Sequence, residues 1–252
     1  RIGRSGVEML IDQELMLMGQ IYQALIGLNP EEIVGREANL LRRALRDVIS
    51  DSVDRLFLLM KFLYPLGSIQ AAAFNLQSGV RTNMARGLEI LDNTLDIPSK
   101  RILLSILDRR ADEEKLQSLA ELIAIENLSP SDRLRRLVDL RHFISEWPLA
   151  CCFHLARASR WSLTGEQTLA CLNHPKSFVR EAVLAYLKVA SPRALVELLP
   201  RMKNDRDRLV ASQVKEMMAE LGIADLPKQA SSTTGGPQGF PNYPGIPGLE
   251  AT

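Results

Sequence analysis

Residues 171–174, Cys-Leu-Asn-His, bring together side-chain types that enzymes use for catalysis. A thiolate can act as a nucleophile, and an imidazole can act as its base. A second group, Cys151, Cys152 and His154, contains side chains that bind zinc. However, no base follows Cys171 at a spacing typical of a nucleophile. Adjacent cysteines are not a zinc spacing, and structural zinc needs four ligands. We therefore predict no catalytic residue and no metal site.

The sequence around His174 has a better structural explanation. In "LNHPKSFVREAVLAYL", residues 172–187, apolar residues recur at helical spacing and form one stripe: Val179, Ala182, Val183, Tyr186 and Leu187. Pro175 lies where a helix can start, and Asn173 is suited to capping it. We interpret Asn173 and His174 as the turn before the second helix of a structural repeat.

The same apolar stripe recurs elsewhere along the chain. Thirty residues earlier the stripe positions hold Leu149, Cys152, Phe153 and Ala156. Thirty-one residues later they hold Val210, Val214, Met217 and Met218. Ninety-nine residues earlier, "SGVRTNMARGL" places Val80, Met84 and Leu88 on the stripe. A pair of helices with such a stripe buries it by stacking on its neighbours, which is typical of a helical solenoid.

Prolines and helix caps indicate a similar period. Four prolines are separated by 35, 33 and 32 residues, and each can open a helix: Pro30, Pro65, Pro98 and Pro130. Three polar residues precede acidic or amide side chains as N-caps do: Asn29, Ser129 and Thr164. Strand signals are almost absent. We predict an all-α fold, a HEAT/armadillo-like helical-repeat solenoid, with about six helix pairs.

Charge, cysteine content and the absence of cofactor motifs argue against several classes of function. The net charge is +1, and the basic segment 133–136 lacks aromatic stacking partners, so we predict no nucleic-acid binding. Three cysteines are too few for a disulfide framework, which favours a reducing compartment. The uncharged run 62–80 is interrupted by "YPLGS", so two helices meeting at a turn explain it better than a membrane span. No phosphate-binding loop or other cofactor motif occurs, and we predict no cofactor.

We divide the chain into three parts. Residues 1–28 form an N-terminal docking helix, expected to contact the solenoid on one side and other protein on the other. Residues 29–226 form the HEAT-like α-solenoid. Residues 227–252 contain five prolines, five glycines and two charged side chains, which predicts a disordered tail.

One segment of the tail has a regular pattern. In "FPNYPGIPGL" four apolar residues follow at intervals of three: Phe240, Tyr243, Ile246 and Leu249. A polyproline II helix has three residues per turn and would align them along one edge. We predict these four residues as partner-binding residues that dock in a groove of another protein, and keep a chance pattern in a flexible tail as the alternative.

The segments carrying the repeat also resemble a known family. "NHPKSFVREAVLAYL" is similar to the turn and second helix of HEAT repeats. Across residues 20–222, "ARGLEILDNTL", "WPLACCFHLA" and the same Val-Arg-Glu segment resemble a region of bacterial, especially cyanobacterial, ATP/ADP-translocase-like proteins of the major facilitator superfamily. In those proteins the similar region is a HEAT-repeat domain that follows the membrane domain. The resemblance implies a cytoplasmic appendage of a membrane transporter, without transport residues of its own.

Two hypotheses of function follow. The first is a non-catalytic protein-interaction or regulatory domain of a membrane nucleotide-transporter-like protein, on the cytoplasmic face of the membrane, with protein partners bound through the solenoid surface. The second is a free-standing HEAT-type scaffold similar to the lyases that attach bilins to antenna proteins.

Overall fold

The computed structural model describes residues 3–29 and 31–223, and all regular structure in these residues is helical. Twelve α-helices follow one another with no strand within these ranges, which confirms the all-α prediction. In chain order they are α1 (Arg4–Gly27), α2 (Arg36–Leu63), α3 (Leu66–Gln77), α4 (Arg81–Thr94), α5 (Lys100–Leu107), α6 (Asp112–Leu119), α7 (Pro130–Asp139), α8 (Glu146–Ser159), α9 (Gly165–Leu172), α10 (Ser177–Ala190), α11 (Pro192–Met202) and α12 (Arg208–Glu220).

The first helix is built into the body of the protein along one face. It contacts α2, α6 and α7. Its buried stripe has helical spacing: Val7, Ile11, Leu15, Met18 and Ile21. Gly19 allows the loop after α6 to approach closely, because a Cβ at this position would lie 2.4 Å from Ile123 Cδ1. The opposite face exposes Met9, Leu10 and Met16.

The uncharged run 62–80 forms two helices, as predicted. α2 ends at Leu63, Tyr64 is extended, and Pro65 precedes α3. Pro65 fits this position because its fixed φ and missing N–H are tolerated at a helix start. Within the described ranges, no helix is both long enough and apolar enough to cross a bilayer.

Two of the four predicted helix caps are confirmed. The Ser129 hydroxyl accepts a hydrogen bond from the Asp132 N–H, and Thr164 and Gln167 form a complete capping box. The prediction for Asn173 was wrong, because Asn173 ends α9 and Lys176 precedes α10. The prediction for Asn29 was also wrong. Asn29 Oδ1 accepts the Glu31 N–H within a turn, and α2 begins only at Arg36, after Gly35 with φ 126°. A turn residue in the left-handed region therefore sets the start of α2.

The repeated stripes are buried in three of the four predicted copies. α8, α10 and α12 begin at residues 146, 177 and 208, so each starts 31 residues after the previous one. Their predicted stripe residues are all buried: Leu149, Cys152, Phe153, Ala156, Val179, Ala182, Val183, Tyr186, Leu187, Val210, Val214, Met217 and Met218. The fourth copy does not keep this register. Val80 is exposed, and α4 instead buries Met84, Gly87 and Leu91 against its neighbours.

The helices contact one another in consecutive pairs: α1 with α2, α3 with α4, α5 with α6, α7 with α8, α9 with α10, and α11 with α12. The contacts between pairs are not all sequential. α2 packs on α8, and α1 packs on α6 and α7, so the first pair lies directly against the fourth. α8, α10 and α12 then follow one another. The pairs between residues 66 and 119 contact this series through α3, which packs on α2, and through α6, which packs on α1.

Candidate interaction surface

The three cysteines lie in the helical core. Cys151, Cys152 and Cys171 are at most 2% exposed and form no disulfide. Burial raises the pKa of Cys151 and of Cys171 to about 11, and raises that of Cys152 well above its usual value. Because the thiolate is the reactive form, these thiols are poor nucleophiles. Their positions on buried helix faces explain them as small packing residues.

His174 contributes to the turn before α10. Its Nδ1 accepts the Lys176 N–H at 3.2 Å, and burial is the main cause that lowers its pKa. Asn173 and His174 line two surface depressions of about 490 and 540 Å³, but the fully buried Cys171 lines neither. The three side chains suggestive of catalysis therefore do not meet in one cleft.

An arginine holds this turn in place. Arg180 donates hydrogen bonds from Nη1 to the carbonyl oxygens of His174 and Pro175, at 2.7 and 3.1 Å. Its Nε donates to Asp205 Oδ2 at 3.0 Å, in an ion pair whose side chains are 4% and 11% exposed. The turn before α10 is thus tied to the turn before α12, which indicates a structural role for the Val-Arg pair.

The basic segment 133–136 contains a buried arginine that has a structural role. Arg133 is 5% exposed and donates from Nη1 to Gln23 Oε1 at 3.0 Å. The same Gln23 side chain bonds Ala124 O and the Glu126 N–H, which joins α1 to the loop before α7. Burial lowers the pKa of Arg133. Across the described part of the chain, no three His, Cys, Asp or Glu side chains are grouped to hold a metal ion.

A large apolar depression lies beside α1. It has a volume of about 600 Å³ and is formed by α1, α2, the loop after α6 and the end of α7. We call it the α1 groove, and define it by its twelve lining residues: Leu10, Gln13, Glu14, Met16, Leu17, Gln20, Arg55, Leu58, Leu59, Ile123, Leu140 and Phe143. Leu58 and Phe143 are 55% and 69% exposed, so large apolar surface faces solvent here.

Two acceptor atoms in the groove wall have no donor. Glu14 Oε1 accepts from Arg55 Nε at 2.9 Å, and Arg55 Nη2 donates to Ser52 Oγ at 2.9 Å. Glu14 Oε2 and Gln20 Oε1 are buried without a hydrogen-bond partner among the described residues. A buried acceptor without a donor costs about 1–3 kcal/mol, so rotation of either side chain toward the groove is favourable when a ligand there supplies N–H groups.

Of the two segments predicted to contact other protein, the N-terminal helix and the tail, only the helix lies within the described residues. The N-terminal helix contacts the body on one side and contributes Leu10 and Met16 to the groove on the other. The predicted partner-binding residues of the tail, Phe240, Tyr243, Ile246 and Leu249, lie outside the described residues. The α1 groove was missed from sequence because Leu58 and Phe143 come from distant segments.

Comparison of the chain with protein-family models, with curated proteins and with solved structures gave no match.

Proposed function

We propose that this chain is a non-catalytic protein-interaction domain of the HEAT/armadillo-like helical-repeat type. The second helices of three pairs, α8, α10 and α12, start 31 residues apart, and this period together with their buried stripes supports the repeat assignment. The pairs α1/α2, α7/α8, α9/α10 and α11/α12 would form the stack, with residues 66–119 as an insertion. The burial of all three thiols supports a role without covalent chemistry.

The α1 groove is the observation that carries the interaction function. Monomeric soluble proteins rarely leave a large contiguous apolar patch uncovered, and such patches mark binding sites. We propose that the occupant is an amphipathic helix of a partner protein with Lys or Arg beside its apolar face. The apolar lining fits the leucine-type side chains of such a helix. Cationic side chains supply donors to Glu14 Oε2 and Gln20 Oε1.

A pair of synthetic helical peptides tests this proposal. One peptide has a leucine stripe flanked by lysines, and the other has the same stripe flanked by glutamates. We expect the lysine peptide to bind in fluorescence anisotropy, and the glutamate peptide to bind at least about tenfold more weakly, because it leaves both groove acceptors unpaired.

Two matched variants assign the binding to the groove. Leu58→Asp places a charge in the groove at a side chain that is 55% exposed, and should abolish binding of the lysine peptide. Phe74→Asp makes the same kind of change at a side chain on α3 that is 75% exposed and outside the groove, and should leave binding intact. Equal binding by both variants, or by both peptides, would overturn the proposal.

The wider context is also a proposal. Following the resemblance to ATP/ADP-translocase-like proteins, we propose that the domain is the cytoplasmic part of a longer nucleotide-transporter-like membrane protein. The reading frame upstream of Arg1 tests this. About ten or more hydrophobic segments of roughly 20 residues would support it, and a start codon directly before Arg1 would contradict it.

A further inference from the structure

Three large exposed apolar side chains occupy equivalent positions in successive helices. Trp147, Phe178 and Leu209 are each the second residue of their helix, in α8, α10 and α12. They are 50%, 38% and 70% exposed. The rings of Trp147 and Phe178 lie with centroids 6.4 Å apart at 57°. We call these three residues the apolar ladder; it is separate from the α1 groove.

The spacing of the ladder follows from helix packing. α8 contacts α10, and α10 contacts α12, so the three helices lie side by side. The axes of packed helices are about 8–10 Å apart, so the backbones of equivalent residues repeat at about that distance, whereas the Trp147 and Phe178 rings lean toward each other to 6.4 Å. A chain in the polyproline II conformation advances about 3.1 Å per residue, or about 9 Å for every third residue. A peptide with apolar residues at every third position therefore matches the ladder.

This chain contains such a peptide in the tail predicted from sequence. Phe240, Tyr243, Ile246 and Leu249 follow at intervals of three, with prolines between them. Its three prolines lack N–H groups, so the segment has more carbonyl acceptors than N–H donors. The Trp147 indole N–H is a hydrogen-bond donor on a side chain that is 50% exposed. Aromatic-lined surfaces of this kind are typical receptors for proline-rich segments.

The connecting chain is long enough for contact within one molecule. Leu209 lies near the start of α12, and the described chain ends at Ile223 just after that helix. The 13 residues of α12 cover roughly 20 Å along the helix axis. Residues 224–239 number 16 and can span up to roughly 50 Å, which exceeds the return distance along α12.

We propose that residues 240–249 bind the apolar ladder of the same chain in a polyproline II conformation, with the apolar residues of the segment against Leu209, Phe178 and Trp147. A tethered ligand has a high effective concentration, of order mM, so even a weak contact is well populated. The ladder is then a site for proline-rich segments, and the tail covers it until a competing segment displaces it. This inference does not depend on the α1 groove.

Tryptophan fluorescence of the full chain tests the proposal. The chain has two tryptophans, so Trp161→Phe leaves Trp147 as the single reporter on the ladder. In this background, Tyr243→Asp with Ile246→Asp should release the tail. We expect acrylamide quenching of Trp147 to increase about two- to threefold, with a red shift of its emission, because a covered indole becomes solvated.

Control variants separate a ladder contact from a general effect. Ser232→Asp with Thr234→Asp adds the same charge outside the apolar segment and should leave quenching unchanged. On the ladder, Leu209→Asp should increase the quenching, whereas Val189→Asp, at an exposed residue near the other end of α10, should not.

Two outcomes would overturn the proposal. One is equal quenching in the Tyr243/Ile246 variant and its parent. The other is a difference that disappears on dilution, which would show that the tail binds a second copy. Far-UV circular dichroism should be the same for both tail variants, which confirms that the body is folded in each measurement.

Discussion

Arg180 and Asp205 form the least exposed ion pair among the described residues, with side chains 4% and 11% exposed. Desolvation acts to raise the pKa of Asp205, but the hydrogen bonds from Arg180 and from the Asp207 N–H outweigh it, and the pKa of Asp205 is lowered from its usual value. The pair has a structural function because Arg180 also holds the carbonyl groups of the turn at residues 174–175.

Asp205→Asn should destabilise the protein strongly. Breaking a buried pair leaves the other charge without compensation, and we expect a loss of about 3 kcal/mol in the free energy of unfolding at neutral pH. Glu220→Gln is the matched control, because it breaks the Lys188–Glu220 pair, whose side chains are 46% and 58% exposed. Exposed pairs contribute about 0–1 kcal/mol, so urea denaturation should give nearly wild-type stability for the control.

The same pair predicts a pH dependence. Since the folded state lowers the pKa of Asp205, the carboxylate stabilises the fold above its unfolded pKa of about 4, and this contribution is lost as the pH falls through the lower folded value. The stability difference between wild type and Asp205→Asn should therefore be constant near neutral pH and shrink below about pH 4. A difference that stays constant to about pH 2 would contradict this assignment.

Side-chain roles could be predicted from sequence only where a residue type has one common use. Cys152 was expected in the core because a small apolar-like thiol occupies a stripe position, and it is fully buried. The burial of Arg133 was not predicted, since buried arginines are rare. Its burial depends on Gln23, which lies 110 residues earlier and approaches only in the folded structure.

At the scale of the helical elements, α3 and α4 are packed unusually closely at Gly87. A Cβ at residue 87 would lie 2.9 Å from Leu76 Cγ and 3.0 Å from the Ala72 carbonyl oxygen. Sequence alone shows only that a glycine lowers helix propensity by about 1 kcal/mol relative to alanine. The structure gives the reason for the glycine, because only the absence of a Cβ permits this approach.

Gly87→Ala should therefore destabilise the protein despite the better helix propensity of alanine. Overpacking typically costs about 1–3 kcal/mol, which exceeds the gain of about 1 kcal/mol from propensity. Gly67→Ala in α3 is the control, since a Cβ there meets nothing within 4 Å. We expect thermal denaturation to show a lower midpoint for Gly87→Ala and an equal or higher midpoint for Gly67→Ala. A stabilised Gly87→Ala variant would contradict the close contact.

Helix positions were predictable where local chemistry decides them. Ser129 and Thr164 cap helices through hydrogen bonds within four residues, and both caps are confirmed. The start of α2 was placed too early because Asn29 and two acidic residues also suit a turn. Glycine at residue 35, with φ 126°, ends that turn. Sequence does not distinguish these two uses of the same polar residues.

On the scale of the whole molecule, the contact of α2 with α8 was not predictable. The buried stripes indicate which faces are covered, but not which neighbour covers them. A strictly sequential stack would place the second pair against the first, whereas α2 packs on α8 and α1 on α6 and α7. The apolar spacing of α2 is compatible with either neighbour, since burial against any helix of suitable size contributes similarly.

Truncation of the chain before α8 should show that α2 needs α8 to bury its apolar face. A fragment of residues 1–145 lacks α8, so the face of α2 that α8 covers becomes solvent-exposed. We expect the fragment to melt without a cooperative transition and to bind the dye ANS. A chain ending at residue 206 is the control, because it lacks only α12, which contacts α10 and α11. It should keep a cooperative transition at a lower midpoint. A cooperative transition in the 1–145 fragment would show that α1 and α2 fold independently of α8.

The packing of α2 on α8 also affects synthesis of the protein on the ribosome. α2 starts at residue 36 and α8 at residue 146, so the helix that covers α2 is translated 110 residues later. At about 5–20 residues per second, the delay is on the order of ten seconds. During that time an apolar face of the nascent chain has no cover, and it is the part of this protein on which a ribosome-associated chaperone is expected to act.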